Sequence, residues 1–437
     1  MNSSPLSDWF DRQAGRVFIL PAVLVILAFS IFPTLISAWL ALTRFQLEAG
    51  GYKLAFIGML NFKKLFYGSQ QFHLIGTPTA LTSFGWVVLV AMLILLSFCF
   101  RRSWHRAGRG AAWLAGGTMA AITLVAAAFL TPIGPLSAVQ GLLAPLGPNS
   151  WWILFIGLLV VFIAASLILR AFVGPGPSPV GLIGRFLAGT ILLVTVLLYV
   201  ATIGDKGQFG SVMTTLVYVV GGLTLQFAIG LGLAMLCAQP IRARAFFRMT
   251  FFLPLMVTPV GIAYTFRMLA DSTVGPFQPL FTALGFGPVE WATHAWSARL
   301  VVMCGDSWQW IPFIFIVLLA AVEGQPRDQV EAAQLDGASA LQIFRDITWP
   351  AIAPVAATVV LIRLIEAFKM VDLPNVLTNG GPGIATESLT LHAFIQWRAL
   401  DLGSSAAVAY MLLFVSTIAA VSFFNFVVRP ARGEVAA

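Results

Sequence analysis

Charge is what this sequence has least of. Only 10% of its 437 residues are Asp, Glu, Lys or Arg, where a soluble domain carries about 25%. So few charges cannot cover the surface of a large globular protein in water. Cysteine is scarce too. Cys99, Cys237 and Cys304 sit in or beside apolar stretches, with the spacing of neither a disulfide framework nor a metal site, and are expected to pack against neighbours. The four histidines are scattered, so no metal ligands are expected. No Gly-Lys dipeptide occurs, which excludes the phosphate-cradling G-x-x-x-x-G-K-[ST] loop. A cleavable leader is not expected either. Val17–Leu42 is too long for a signal h-region and lacks a clear small-residue cleavage site.

What is abundant is apolar sequence, 59% of the chain. About 20 apolar residues in a row suffice to cross a bilayer. Ten such segments stand out, at roughly Arg16–Leu42, Leu81–Phe100, Gly110–Thr131, Trp151–Leu169, Ile183–Ile203, Ser211–Cys237, Met249–Ala270, Arg299–Ala321, Ala351–Val371 and Ser404–Val428. The expected fold class is all-α, a polytopic transmembrane helical bundle of about 10 helices. The net charge of +8 is read as an orienting device rather than a nucleic-acid signal, because Lys and Arg are retained in cytoplasmic loops. Arg101, Arg102, Arg106 and Arg109, then Arg170 and Arg185, then Arg242, Arg244 and Arg248, and finally Arg429 and Arg432 all fall inside if both termini are cytoplasmic. The first loop, with Arg44, Lys53, Lys63 and Lys64, is the one that disagrees.

The loop between Val322 and Pro350 differs from the others. It reads EGQPRDQVEAAQLDGASALQIFRDITWP and is polar and helix-forming. Pro326 suits a helix start, Gly337 permits a turn that other residues resist, and Pro350 and Pro354 should limit a second short helix. Glu331-Ala332-Ala333, Asp336-Gly337-Ala338, Ile347 and Pro350 resemble the EAA loop of bacterial ABC importer permeases, with Trp349 where that family usually has Leu. FIGMLNF at Phe56–Phe62, RAFFRMTFFLPLMVTPV at Arg244–Val260, Phe368–Asp372 and LTNGGPGIATESL at Leu377–Leu389 extend the resemblance to the sugar-permease, maltose-transporter-like branch.

The resemblance implies a six-helix type I importer core made of the first, sixth, seventh, eighth, ninth and tenth segments. It also implies that the loop docks on a separate ATPase subunit. Residues 1–72 would hold the tail, first core helix and outer loop; 73–207 an insertion with four helices; and 208–437 the rest of the core, with the coupling loop at 322–350. Four is even, so an insertion of that size keeps the core topology. Glu331, Ala332, Ala333, Asp336, Gly337, Ala338 and Pro350 are the expected ATPase-coupling residues. Their small side chains allow close approach, and their carboxylates can pair across a joint.

Substrate-pathway candidates are polar and aromatic groups at membrane depth. Arg363, Glu366, Lys369 and Asp372 follow at spacings of three, which places neighbours on one helix face. Such a stripe either lines a sugar path or neutralises itself while holding two helices together. Trp308, Gln309 and Trp310, beside Asp306, offer aromatic faces and hydroxyl partners, or else anchor a helix end. Tyr264, Arg267 and Gln226 are further candidates. The Gly-rich Leu377–Leu389 is expected to meet a partner or binding protein.

The resemblance implies a non-enzymatic permease subunit that translocates a sugar or sugar-like solute. It binds no cofactor of its own, ATP and Mg residing on the ATPase. Its partners are an ATPase dimer, a second permease forming a heterodimer, a periplasmic or lipid-anchored solute-binding protein and membrane lipid, with no nucleic acid. Its place is the bacterial inner membrane. The rival readings are an ion-coupled secondary transporter, which would usually show related halves, and a membrane enzyme. No internal repeat is visible, and no soluble catalytic loop.

Overall fold

The computed structural model describes residues 19–48, 50–77, 199, 202, 208–239, 244–271, 275–284, 291–424 and 427. The second to fifth apolar segments therefore lie, but for Tyr199 and Thr202, outside the described residues, as does Cys99. Among the described residues, five helices are long and apolar enough to cross a membrane. They are α1 (Ile19–Ala41), α4 (Ser211–Ala238), α8 (Ala295–Glu323), α10 (Ala340–Ala367) and α13 (Leu402–Phe423). A sixth candidate is a pair, α5 (Ala245–Met256) and α6 (Pro259–Leu269), bent by 99°. These six places are the six expected core segments.

Two segments differ from expectation. The seventh is not one straight span. Its chain is extended at Val257, and Thr258 caps α6 by accepting from the Gly261 amide, with Pro259 opening the helix. A cap followed by proline starts a new helix and cannot continue an old one. The ninth begins at Ala340, well before Ala351, because Pro350 and Pro354 do not end it. A wide π turn at Phe344–Thr348 precedes Pro350. A proline leaves the carbonyl four residues back without its usual donor, and that carbonyl, on Asp346, falls inside the wide turn. A second π turn at Leu27–Ile31 serves Pro33 in the same way. At ~1.5 Å per residue α10 is ~42 Å long, beyond the ~30 Å of a hydrocarbon core.

The chain divides into two compact units, each considered by itself. One comprises the chain up to Gln71 together with Leu389–Val415. Its first loop, in a chain expected to be all-α, is a β-hairpin of β1 (Thr43–Glu48) and β2 (Gly51–Phe56), with Thr43 opposite Phe56. It is followed by α2 (Leu60–Tyr67). The buried Asn61 amide donates to the Ala41 and Thr43 carbonyls, both at 2.9 Å. The FIGMLNF segment thus ties α2 to the end of α1. Tyr410 of α13 donates to the Thr34 carbonyl of α1. This unit also holds α12 (Leu389–Arg398).

The other unit spans Phe72–Ser388 with Ser416 onward. Its core has one cluster around Tyr218, Ile262, Val302 and Leu373, and another where Ala234 and Cys237 of α4 meet Ile314, Phe315 and Leu318 of α8. A Cβ at Gly230 would stand 2.8 Å from Ile314 Cγ2, so glycine is what lets α4 and α8 approach. Cys304 is exposed, against the expected packing role. It lies on the outward side of α8.

The segment Leu377–Leu389 also departs from expectation. Past α11 (Asp372–Thr378), residues Ile384–Ser388 are buried within their own unit. The Ala385 carbonyl accepts from Arg299 Nε at 2.7 Å and Thr214 Oγ1 at 3.4 Å. Tyr218 donates to the Thr386 carbonyl at 3.3 Å, and Ser388 to that of Met370 at 2.7 Å. Backbone polar groups buried away from water need partners, and these side chains supply them to the non-helical stretch. Asn379 and Gly383 stay exposed. The buried Glu387 carboxylate accepts from His73 Nδ1 at 3.0 Å, and that hydrogen bond raises the His73 pKa.

The two ends of the long stretch 78–207 meet. Gly76–Thr77 (β3) pairs antiparallel with Gln208–Phe209 (β4), and the Gln208 amide donates to Thr77 Oγ1 at 3.0 Å. Joining Thr77 to Gln208 through a two-residue Asn-Gly turn therefore closes an ordinary hairpin. Such a deletion is expected to insert in the membrane and to keep its remaining helices, as read by helical circular dichroism and protease protection. Loss of insertion would show that the stretch is needed to build the rest.

Candidate functional site

The loop at 322–350 is built by two capping devices. Helix α9 (Arg327–Leu335) ends at Asp336, and Gly337 follows with φ of 80°. The Ala338 amide bonds the Ala333 carbonyl at 3.0 Å, and the Gly337 amide bonds that of Gln334 at 3.1 Å. This is a Schellman end, which needs a left-handed residue at that place. Among the described residues, nothing lies within 4 Å of where a Cβ on Gly337 would stand. The need for glycine is thus one of backbone conformation, and crowding within the chain plays no part. Two residues on, Ser339 starts the next helix with a capping box: its amide donates to Gln342 Oε1 at 2.8 Å, and its Oγ accepts from the Gln342 amide. The two caps leave no slack between α9 and α10.

The loop presents an exposed face. Glu331, Ala332, Asp336 and Gly337 are exposed, with Ala333 and Ala338 half-buried. Two residues that the sequence reading passed over are the most conspicuous. Leu335 is 89% exposed and Leu341 is 75% exposed, one on each side of Gly337. Two leucines set in an otherwise polar loop were the available signal. Below Leu341, a cleft of about 420 Å³ is lined by Phe227, Leu231, Leu341, Gln342, Phe344, Arg345 and Trp349. The Trp349 ring meets Phe227 edge-on at 6.4 Å, fixing the base of α10 against α4. Pro350 lies in the first turn after the π segment.

The candidate pathway residues do not form one stripe. Arg363 is 1% exposed and ion-paired with Asp306 of α8. Its Nε donates to Gln226 Oε1 of α4 at 2.7 Å, and the Gln226 amide donates to Asp306 Oδ2, also at 2.7 Å. The guanidinium lies over the Trp310 ring at 4.7 Å. Each charge has a partner and the Gln226 amide is used at both ends. Such closure is what makes buried charge tolerable in hydrocarbon. Arg363 thus makes the helix-to-helix contacts that the second of the two roles considered for the stripe requires. Glu366 and Lys369 pair with each other, at 2.6 Å on the outer surface, and Asp372 opens α11. Gln309 is buried, Trp308 is exposed and touches Phe266 edge-on at 6.1 Å, and Tyr264 is exposed. Arg267 donates to the Val376 carbonyl at 2.9 Å, which occupies it structurally.

Removing one member of the buried set should cost far more than breaking the outer pair. Arg363→Met leaves Asp306 buried and uncompensated, a loss of about 3–5 kcal/mol. Lys369→Met should cost about 0–1 kcal/mol. Thermal unfolding of the two variants in detergent checks the order, and equal losses would refute it.

Comparison with known proteins agrees with this architecture. Residues 230–433 match the family described as binding-protein-dependent transport system inner membrane component. The probable ABC transporter permease protein y4oQ of Sinorhizobium fredii is 31% identical over 224 residues, covering 51% of this chain and 72% of that protein. The trehalose/maltose transport system permease protein MalF of Thermococcus litoralis is 30% identical over 213 residues, covering 49% and 72%. The probable starch degradation products transport system permease protein AmyD of Thermoanaerobacterium thermosulfurigenes is 28% identical over 228 residues, covering 51% and 77%. With that identity over most of its relatives' length, and spanning helices where the family match lies, the chain belongs to the binding-protein-dependent transport system inner membrane components, the permease subunits of ABC importers.

Proposed function

We propose that this chain is one half of a heterodimeric pore that imports a sugar or sugar-like solute, and that the loop at 322–350 is where a separate ATPase drives it. The observation that carries the reading is the loop's geometry. A tightly capped turn holds two outward leucines at the head of a helix that runs unbroken into a membrane span. Leu335 and Leu341 are large, exposed apolar side chains, and a groove on an ATPase surface would desolvate both. Glu331 and Asp336 flank them as rim charges. ATP and Mg would be bound by that partner, since this sequence lacks the loop that holds them.

The sugar class is supported by relatives whose names carry trehalose, maltose and starch products. Tyr264 and Trp308 remain the accessible aromatic candidates for the solute path, with Glu366 and Lys369 as exposed polar ones. Both termini are assigned to the cytoplasm on the basic loops, which also puts the coupling loop there. A solute-binding protein would then deliver at the opposite face. Residues 73–207 are assigned to an insertion peripheral to that cycle. The closure of its ends at Thr77 and Gln208 supports this reading.

Gly337→Asp forces a side chain into a left-handed turn and is expected to abolish uptake by the assembled complex while the chain still inserts. Leu335→Ser with Leu341→Ser should reduce co-purification of the ATPase by more than tenfold, as lost burial of two leucines at ~1.5–3 kcal/mol each implies. Glu331→Ala should weaken it only slightly, since an exposed charge pair is worth about 0–1 kcal/mol. Unchanged uptake by the Gly337→Asp complex, together with full ATPase capture by the double serine variant, would rule out this loop as the coupling element.

A further inference from the structure

The buried cluster in the second unit is more elaborate than helix packing requires. It joins three spanning helices at one point: Gln226 on α4, Asp306 on α8 and Arg363 on α10. Apolar contacts between these helices already exist around Phe315 and Val359. Such contacts are short-ranged but weakly directional, so one helix can slide along another and find new ones. Hydrogen bonds to a planar guanidinium are directional and are lost after a small slip. Replacing a whole buried ionic set with apolar residues is often neutral or stabilising, so its best-attested use is to fix a register or a switch.

Position gives the cluster a particular lever. Arg363 lies ~35 Å along α10 from Ala340, at 1.5 Å per residue. The loop end of α10 is clasped by the Ser339 capping box. Toward the far end, Arg363 reaches α8 and α4. The Glu366–Lys369 pair joins the last turn of α10 to a residue just past its end.

We propose that Arg363, with Asp306 and Gln226, is a register lock that makes α10, α8 and α4 move as one body when the loop at 322–350 is displaced. Arg363 is then a positioning residue: it touches no solute, and it decides whether a push on α10 reaches its neighbours. The proposal rests on the reading of that loop as the ATPase-coupling element.

The test uses the complete complex in lipid nanodiscs. Spin labels are placed at Val355 on α10 and Ile229 on α4, both outward-facing and each at least about one helical turn from the cluster residue on its own helix. Their distance distribution is measured without nucleotide and after trapping with ATP and orthovanadate. In the otherwise native chain, trapping should leave the distribution unchanged. In the triple variant Arg363→Met, Asp306→Leu, Gln226→Leu, trapping should shift it, with ATP hydrolysis retained and uptake per ATP at least tenfold lower. Should the triple variant fail to assemble, Arg363→Lys keeps the charge but loses the planar fork, and a shift on trapping is again expected.

A shift of equal size in the native chain would overturn the proposal, because the three helices would not be moving together. An unchanged distribution in the variant that assembles would overturn it as well, because apolar packing alone would then suffice. A cysteine at Leu335 separates failure of the lock from failure of the loop reading. If it does not cross-link to the ATPase, the coupling reading falls and the proposal with it. If it does cross-link and no variant shifts, the lock alone is wrong.

Discussion

Hydrocarbon offers a backbone no partner, and this constraint shapes the structure more than any other. Every break in a helix at membrane depth must be repaired from within. The chain does so in three ways. Ahead of Pro33 and Pro350 it widens the helix to a π turn around the carbonyl that proline leaves unpaired. At Val257–Pro259 it stops one helix and starts another with the Thr258 cap. Along Ile384–Ser388 it runs buried backbone without helix and satisfies it from Arg299, Thr214 and Tyr218. The same constraint governs charge. Arg363 and Asp306 persist at depth because each completes the other.

Repairing the helix at Pro350 has a mechanical consequence. Had the proline ended the second loop helix, a hinge would separate the loop from the membrane. With the π turn, the helix that begins at Ser339 is the helix that ends at Ala367. A displacement of the Gly337 turn is then a displacement of the whole rod. Capping on both sides of that turn removes the remaining slack. Stiffness at the loop and directionality at Arg363 are complementary. One delivers a movement to the membrane, and the other determines which helices receive it.

Much of this was legible in the sequence, and for definite reasons. Long apolar runs locate spans because length and composition alone decide whether a helix can cross. The core segments were therefore readable to within a few residues at most ends. Gly337 was readable because few other residues tolerate its backbone conformation. What escaped was non-local. A pattern of charges three apart ties Glu366 to Lys369, but Arg363 turns to Asp306, 57 residues away, and no local rule carries that information. Pro350 was misread because its effect depends on the hydrogen-bond pattern of the preceding turn. The hairpin at Thr43–Phe56 was overlooked beneath the dominant helical signal. Leu335 and Leu341 were passed over because leucine is ordinarily taken as core, whereas these two stand exposed on either side of the Gly337 turn.

The central claim is that this chain works only as part of an ATP-driven assembly. Gentle affinity purification of the full chain from its native membranes tests it most directly, followed by identification and quantification of what accompanies it. The account predicts a second, non-identical permease in equal amount and an ATPase carrying the G-x-x-x-x-G-K-[ST] loop. The purified assembly should hydrolyse ATP faster when solute-loaded binding protein is added. A chain that purifies alone or as a homodimer, and that still moves solute in vesicles without ATP, would contradict it.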